Sequence, residues 1–393
     1  MTAPLIGEQV TSGRFKAVAH EHYARWRVHT PVVRARINRH EVWLVSRYDD
    51  VSMLLRSAAF SKVRPGGEPV PAFLKSLTRN MLAVDGADHA RLKRAVQDAF
   101  TPRRIDGLET WATRLADELT AGLPNHGTQD LVPMFAMPFP VTVIAELLGV
   151  PAADRTRFAR WSRALVGNDG SLPGLLRALP GMIQFVRYLR RHSAHRRARP
   201  SDDLAGALAA MEIAGQLDGD EVVAMLALLL TAGHETTTNI IANGLATLLS
   251  APDALAALRQ GRADPRLAVE ELLRFCGPVE TSTPRFAKEP ITIAGEVVPC
   301  GAEVLGVSTS ANRDVAKFAL PDQLDLNRDP NRHLSFGEGA HYCAGAALAR
   351  METRVALMAL ILRWPTLNLA VGCPTTWRSG PILRGLTALK VDC

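Results

Sequence analysis

The chain has 393 residues, 47% of them hydrophobic and 22% charged, with a formal net charge of +7. This is ordinary globular composition with length enough for a large core, and it excludes a disordered, collagen-like or disulfide-scaffold chain. The five cysteines, Cys276, Cys300, Cys343, Cys373 and Cys393, are odd in number and contain no CxxC pair, which argues against zinc-knuckle and iron–sulfur patterns and for free thiols in a reducing compartment.

From Met1 to Arg27 the sequence is polar and mixed in charge, without the apolar run of a signal peptide, so a cytoplasmic protein is expected. No Gly/Ser or Pro-rich tract and no repeat divides the chain, and one domain over 1–393 is expected. Alternating stretches at Val32–Ile37 and Val42–Val45 predict early strands, and Ile291–Val298 and Leu383–Val391 predict late ones. Helical spacing fills the interval: Leu108–Leu123, Pro140–Leu148, Leu204–Ile213, Asp220–Ser250, Pro265–Phe275 and Ala344–Arg363. The fold class expected is mainly α with a small antiparallel β part assembled from distant segments. The longest apolar run, Val222 to Leu230, is too short to cross a bilayer, so no membrane association is expected. Arg187 to Arg199 is strongly basic but holds one aromatic, Tyr188. A solvated helix end is the reading, and no nucleic-acid partner is expected.

Chemistry concentrates in Phe336-Gly-Glu-Gly-Ala-His-Tyr-Cys343-Ala-Gly345, directly followed by a helical pattern. Two glycines before the cysteine allow a tight loop to approach a flat ligand closely. A helix beginning just after Cys343 points N–H groups and a positive dipole end at it, which favours thiolate over thiol. For the other four cysteines the reading is a small buried hydrophobe.

This segment resembles the haem-binding signature of the cytochrome P-450 superfamily, F-G-x-G-x-H-x-C-x-G, at every specified position. Further resemblances follow in the family's order. Ala232-Gly-His-Glu-Thr236-Thr is similar to its long central-helix motif, Glu271-Leu-Leu-Arg274 to its E-x-x-R, and Ala311-Asn-Arg-Asp314 with Phe318 to Arg328 to the stretch before the haem loop. The resemblance implies a triangular cytochrome P-450 fold with haem b (iron protoporphyrin IX) between the central helix and the Cys-loop helix, and Cys343 as the iron's ligand. It implies propionate contacts from His341, from Arg285, and from His89 with Lys93, where bacterial members commonly carry arginine. Glu271 and Arg274 become a buried pair completed by Arg328 or His333.

On the central helix, Thr236 can turn its hydroxyl onto the carbonyl of Ala232, while Gly233 weakens the same turn; a local bulge with room for dioxygen and water is expected. A zinc-protease reading of His234-Glu235 fails, because Thr238 stands where the second histidine is needed. The resemblance implies that Glu235 delivers protons and Thr236 holds dioxygen and a water. It also implies a pocket lined by Leu228, Thr231, Ala232 and Gly233, by Val279 to Thr283, by Ile382 and Leu383, and by parts of 62–84 and 160–185. That lining suits an apolar small molecule such as a terpenoid, steroid, fatty acid or polyketide. The implied activity is a monooxygenase inserting one atom of dioxygen into a C–H bond, with a separate ferredoxin and ferredoxin reductase supplying electrons to a monomer. Lys93, Arg94 and Arg350 are candidates for a basic patch facing the ferredoxin. A peroxide-driven peroxygenase, an enzyme that couples or desaturates its substrate, and a non-catalytic haem sensor or carrier are the alternatives; the last has no need of Glu235 and Thr236.

Overall fold

In the computed structural model the described residues are 3–6, 8–37, 40–67, 79–97, 100–155, 157, 161 and 172–393; of 8, 102–104 and 172–178 the backbone alone is described. Contacts divide the chain into two compact units, one of Met1–Pro65, Glu109–Met137 and Thr236–Cys393, the other of Gly66–Leu108 and Pro138–Glu235.

The first unit is built on a six-stranded sheet. Its strands are β1 (Leu5–Ile6), β2 (Val32–Ile37), β3 (His40–Val45), β4 (Phe60–Ser61), β6 (Arg285–Ala287) and β9 (Glu303–Gly306), in the order β1-β2-β3-β9-β6-β4. It is a mixed sheet, not the antiparallel one expected: β3 runs parallel to β9, with Val42 opposite Glu303. A connection of more than 250 residues leaves room for the crossover that a parallel pair needs. Alternation along the strands feeds two cores. Val32, Val45 and Val304 pack with Val51 and Leu54 of the helix Tyr48–Arg56, and Val33, Leu44 and Leu305 pack with Ala19, Tyr23 and Trp26 of the helix Gly13–His29. The stretch Ile291–Val298 forms a two-stranded hairpin, β7 (Ile291–Ile293) and β8 (Glu296–Val298), turned by Gly295 at φ +86°. Helix Pro265–Cys276 starts as its sequence dictates, with Pro265 in the first turn and the Asp264 carboxylate accepting from the Arg266 amide at 2.7 Å.

In the second unit, helices Gly86–Gln97 and Leu172–Ala198 pack on Leu204–Ile213. Asp203 caps the last of these, accepting from the Gly206 amide at 2.8 Å. Glu221, buried early in the central helix, takes two hydrogen bonds from Arg91, at 2.6 and 2.9 Å, and these hold its carboxyl below the usual range. The central helix itself is continuous over Gly219–Leu249. Among the described residues no single helix is long and apolar enough to cross a membrane.

Candidate haem-thiolate site

The loop before helix Ala346–Arg363 is fixed from inside and outside. The Cys343 amide donates to the Phe336 carbonyl at 3.0 Å, and the Gly337 amide to Leu334 at 2.9 Å. Gly337 and Gly339 take φ of +70° and +74°. A side chain at Gly339 would stand 3.1 Å from the carbonyl oxygen of Leu55, so both the backbone angle and the space require glycine. Cys343 lies two residues before Gly345, the cap of the helix, and is exposed. A bare transition ion takes three or four protein donors. Among the described residues no group of three His, Cys, Asp or Glu side chains gathers to supply them. One exposed sulfur ahead of a helix N-terminus fits an iron that brings four donors of its own in a macrocycle.

Beneath the loop, Glu271 and Arg274 are fully buried and joined by two hydrogen bonds of 2.8 Å. Arg328 adds a contact of 3.1 Å to Glu271, and the Asn331 side chain and Asp325 amide donate at 3.0 and 2.9 Å. Arg274 spends its other donors on the carbonyls of Asn312 and Pro321, at 2.9 and 2.8 Å. Asn312 in turn accepts from the Leu334 amide at 2.7 Å and donates to Ser335 at 2.8 Å, so the buried pair is tied to the loop carrying Cys343. Of the two candidates for the third partner, Arg328 takes the place. His333 meets the neighbouring Glu270 at 3.1 Å instead.

Glu270 also accepts from Arg350, at 2.6 and 2.9 Å, and the Arg350 guanidinium lies 4.4 Å over the Phe336 ring. Burial alone would raise the Glu270 carboxyl, but His333 and Arg350 outweigh it and bring it down to about 2. Arg350, a candidate for the basic patch, is thus paired with a carboxylate while its side chain stays about one-third exposed. Arg285 is buried on β6, opposite Val304, and His341 is half-buried in a short turn over Gly339–His341. In the second unit, His89 is buried on helix Gly86–Gln97; Lys93 is half-buried and Arg94 exposed.

Along the mostly buried central helix, between Glu221 and Leu245, Leu228, Thr231, Ala232, Gly233 and Thr236 are the half-buried or exposed positions, and they recur at three- and four-residue spacing. Thr231 donates to the Ala227 carbonyl at 2.8 Å. The helix is assigned without a break through 232–236, where a loosened turn was expected. Gly233 has a packing reason: a Cβ there would stand 3.0 Å from Ile144. Glu235 and His234 are both buried, with 3.8 Å between Glu235 Oε1 and His234 Nε2. His234 Nδ1 donates to the Leu230 carbonyl at 2.7 Å, and burial lowers the ring's pKa, so it is neutral at pH 7. One turn on, Thr237 reaches Glu352 of the Cys-loop helix, whose carboxyl is fully buried and pushed well above the usual range by desolvation, which the Thr237 contact only partly offsets. Glu352 did not stand out in the sequence, and His234 did so only in the zinc-protease reading that fails.

Val279, Ile382 and Leu383 are half-buried, and Val279 bridges Leu383 across an antiparallel pair. Of the remaining lining segments, 68–78, 160 and 162–171 lie outside the described residues.

The family model for cytochrome P-450 matches residues 266–368. The cytochrome P-450 monooxygenase PikC of Streptomyces venezuelae is 40% identical over 96% of this chain and 91% of its own length. Vitamin D(3) 25-hydroxylase of Pseudonocardia autotrophica is 40% identical over 97% and 95%. Among solved structures, a myxobacterial cytochrome P-450 in complex with myristic acid superimposes with a TM-score of 0.90 at 36% identity, covering 98% of each chain. With that likeness over nearly its whole length, the chain belongs to the cytochrome P-450 family and is a monooxygenase whose cofactor is haem b.

Proposed function

We propose that Cys343 would hold the haem iron as a thiolate, that electrons come from a separate ferredoxin and its reductase, and that the enzyme hydroxylates an apolar small molecule. We read both compact units as one haem domain over 1–393, acting as a cytoplasmic monomer. One observation carries the reading: Cys343 stands exposed on a glycine-shaped loop, its amide held by Phe336, just ahead of a helix N-terminus. A negative sulfur is favoured at that place.

When bound, haem b supplies the site where dioxygen takes up two electrons and is split, one atom entering the substrate and the other leaving as water with two protons. The chain's residues do the rest. Cys343 holds the iron, and His341, Arg285, His89 and Lys93 are the cations for the propionates. Lys93 offers only a point charge where arginine would give a planar fork. Thr236 positions a water for the two protons, and the Glu235 carboxyl passes protons to it. Leu228, Thr231, Ala232, Gly233, Val279, Ile382 and Leu383 line the substrate pocket. Their apolar character agrees with relatives named for vitamin D(3) and crystallised with myristic acid.

The test is the reduced carbon-monoxide spectrum. Cys343→Ser loses the red-shifted Soret band of thiolate ligation, whereas Cys276→Ser, Cys300→Ser, Cys373→Ser and Cys393→Ser keep it. Retention of the band in Cys343→Ser overturns the assignment. Thr236→Ala keeps the band but diverts reductant to hydrogen peroxide, read as product formed per reductant consumed. Turnover with peroxide alone in the unaltered enzyme would favour a peroxygenase.

A further inference from the structure

Behind Val279 and Leu383 lies a charged cluster that no part of the haem site uses. Glu280 and Arg384 follow those two residues directly and are buried, as alternation along paired strands requires when the preceding side chains face the other way. The Glu280 carboxylate accepts from Arg384 at 3.0 Å, from the Tyr23 hydroxyl at 2.8 Å and from Thr309 at 3.1 Å. Lys16, on the first turn of helix Gly13–His29, is wholly buried, and its ammonium donates to the carbonyl of Leu383 itself. Arg384 returns the contact, donating to the Lys16 carbonyl at 2.8 Å. The backbones join as well: the Glu280 amide donates to Ile382 at 2.7 Å and the Arg384 amide to Pro278 at 2.8 Å. From the central helix, Asn243 donates to the Arg384 carbonyl at 3.0 Å.

We propose that Lys16, Glu280 and Arg384 are positioning residues for the substrate, holding the backbone of Val279 and Ile382–Leu383 so that these three side chains keep their place in the pocket wall. The proposal rests on the reading that Val279, Ile382 and Leu383 face the substrate. Four donors converge on the Leu383–Arg384 and Glu280 segments from three separate elements, and a buried ammonium without its acceptor is costly. An apolar clamp would join the helix to the sheet equally well; directed hydrogen bonds to the carbonyl of a pocket residue fix where that residue stands.

The holoenzyme is titrated with imidazole and with 4-phenylimidazole. Both ligate iron through nitrogen. Only the second also presses on the pocket wall, so the ratio of the two dissociation constants reports the wall and not the iron. Lys16→Met is expected to weaken 4-phenylimidazole fivefold or more, with imidazole affinity and the thiolate Soret band unchanged. Lys16→Gln, which keeps a donor, recovers most of the loss, and Tyr23→Phe gives a smaller loss of about twofold should Lys16→Met fail to fold. Equal weakening of both ligands, or no change in either, overturns the proposal. Leu383→Trp separates the two claims. If it leaves 4-phenylimidazole binding unaltered, the lining reading itself fails; if it alters binding while the Lys16 and Tyr23 variants do not, the positioning role alone fails.

Discussion

Two buried clusters in the first unit each set one carboxylate against two cations, and they differ in how they are built. Glu271 meets Arg274 three residues away on the same helix and then Arg328. Glu280 meets Arg384, 104 positions later, and Lys16 joins them from a helix 368 residues distant in sequence from Arg384. The first cluster is made of guanidinium groups, which stay charged at any working pH. In the second, one cation is an ammonium whose hydrogen bond goes to a carbonyl instead of the carboxylate. Its pKa falls from the ordinary 10.5 to about 8, because burial outweighs the attraction of Glu280, with Arg384 pushing the same way as burial. One cluster is a rigid support under the haem loop. The other is a clamp whose charge is open to titration.

The largest effect expected from breaking the comparison is in the rigid cluster. Arg274→Ala strands the fully buried Glu271, and breaking a buried pair in this way costs about 3–5 kcal/mol. Because Arg274 also holds the carbonyls of Asn312 and Pro321, the variant should fold with little haem. Haem content per protein after purification checks this; normal content would mean that the cluster does not support the loop. Arg328→Ala comes next. A hydrogen bond to a charged group contributes about 1.5–3 kcal/mol, so thermal unfolding should fall by that amount. His333→Ala should fall less, since His333 pairs with Glu270 and leaves Glu271 untouched. The reverse order would reassign the third partner.

The two clusters also mark how far the sequence could be read. A helix places Glu271 and Arg274, i and i+3, on one face, but their burial was legible only through the resemblance; the loop of Cys343 was legible because its glycines and cysteine sit within ten residues. The strand Val32–Ile37 and the helix Leu204–Ile213 came out with the bounds their periodicity gives. Helix Gly13–His29 was not seen, since its buried face includes Lys16 and Arg27, and polar residues inside a core blur the apolar period. Gly233 was read as loosening a turn, whereas its space is occupied by Ile144, which a sequence 89 positions apart does not announce. Arg350 was named for a basic patch without its ion pair being visible, since its carboxylate partner lies 80 residues away. Parallel pairing of β3 with β9 is hidden for the same reason. Contacts local in the chain leave a pattern, and contacts made by the fold leave only residue types that fit poorly where they stand.

The effect that most sharpens the contrast is in the pH dependence of stability. The folded pKa of Lys16 lies below its unfolded value, so between about 8 and 10.5 the unfolded chain keeps a proton that the folded protein has released. Stability gained from Lys16 therefore rises with pH through that window, and is at its lowest below about 8, where the buried ammonium must stay charged. Each pKa unit corresponds to about 1.4 kcal/mol, so a fall from 10.5 to about 8 makes the gain from neutral to alkaline pH about 3 kcal/mol for this group. Other groups facing Lys16 do not mimic it: Arg384 stays charged, burial holds the Tyr23 hydroxyl well above its usual 10.0, and burial keeps His20 neutral far below the window. The measurement is denaturant unfolding at several pH values for the unaltered protein and for Lys16→Met, taking the difference so that surface lysines and tyrosines cancel. The difference should move in favour of the unaltered protein as pH rises, by about 3 kcal/mol in total. The same difference measured for Arg328→Ala should be flat over the whole range. A flat line for Lys16→Met would mean that its ammonium is solvated in the folded protein, and the distinction between a fixed and a titratable cluster would be lost.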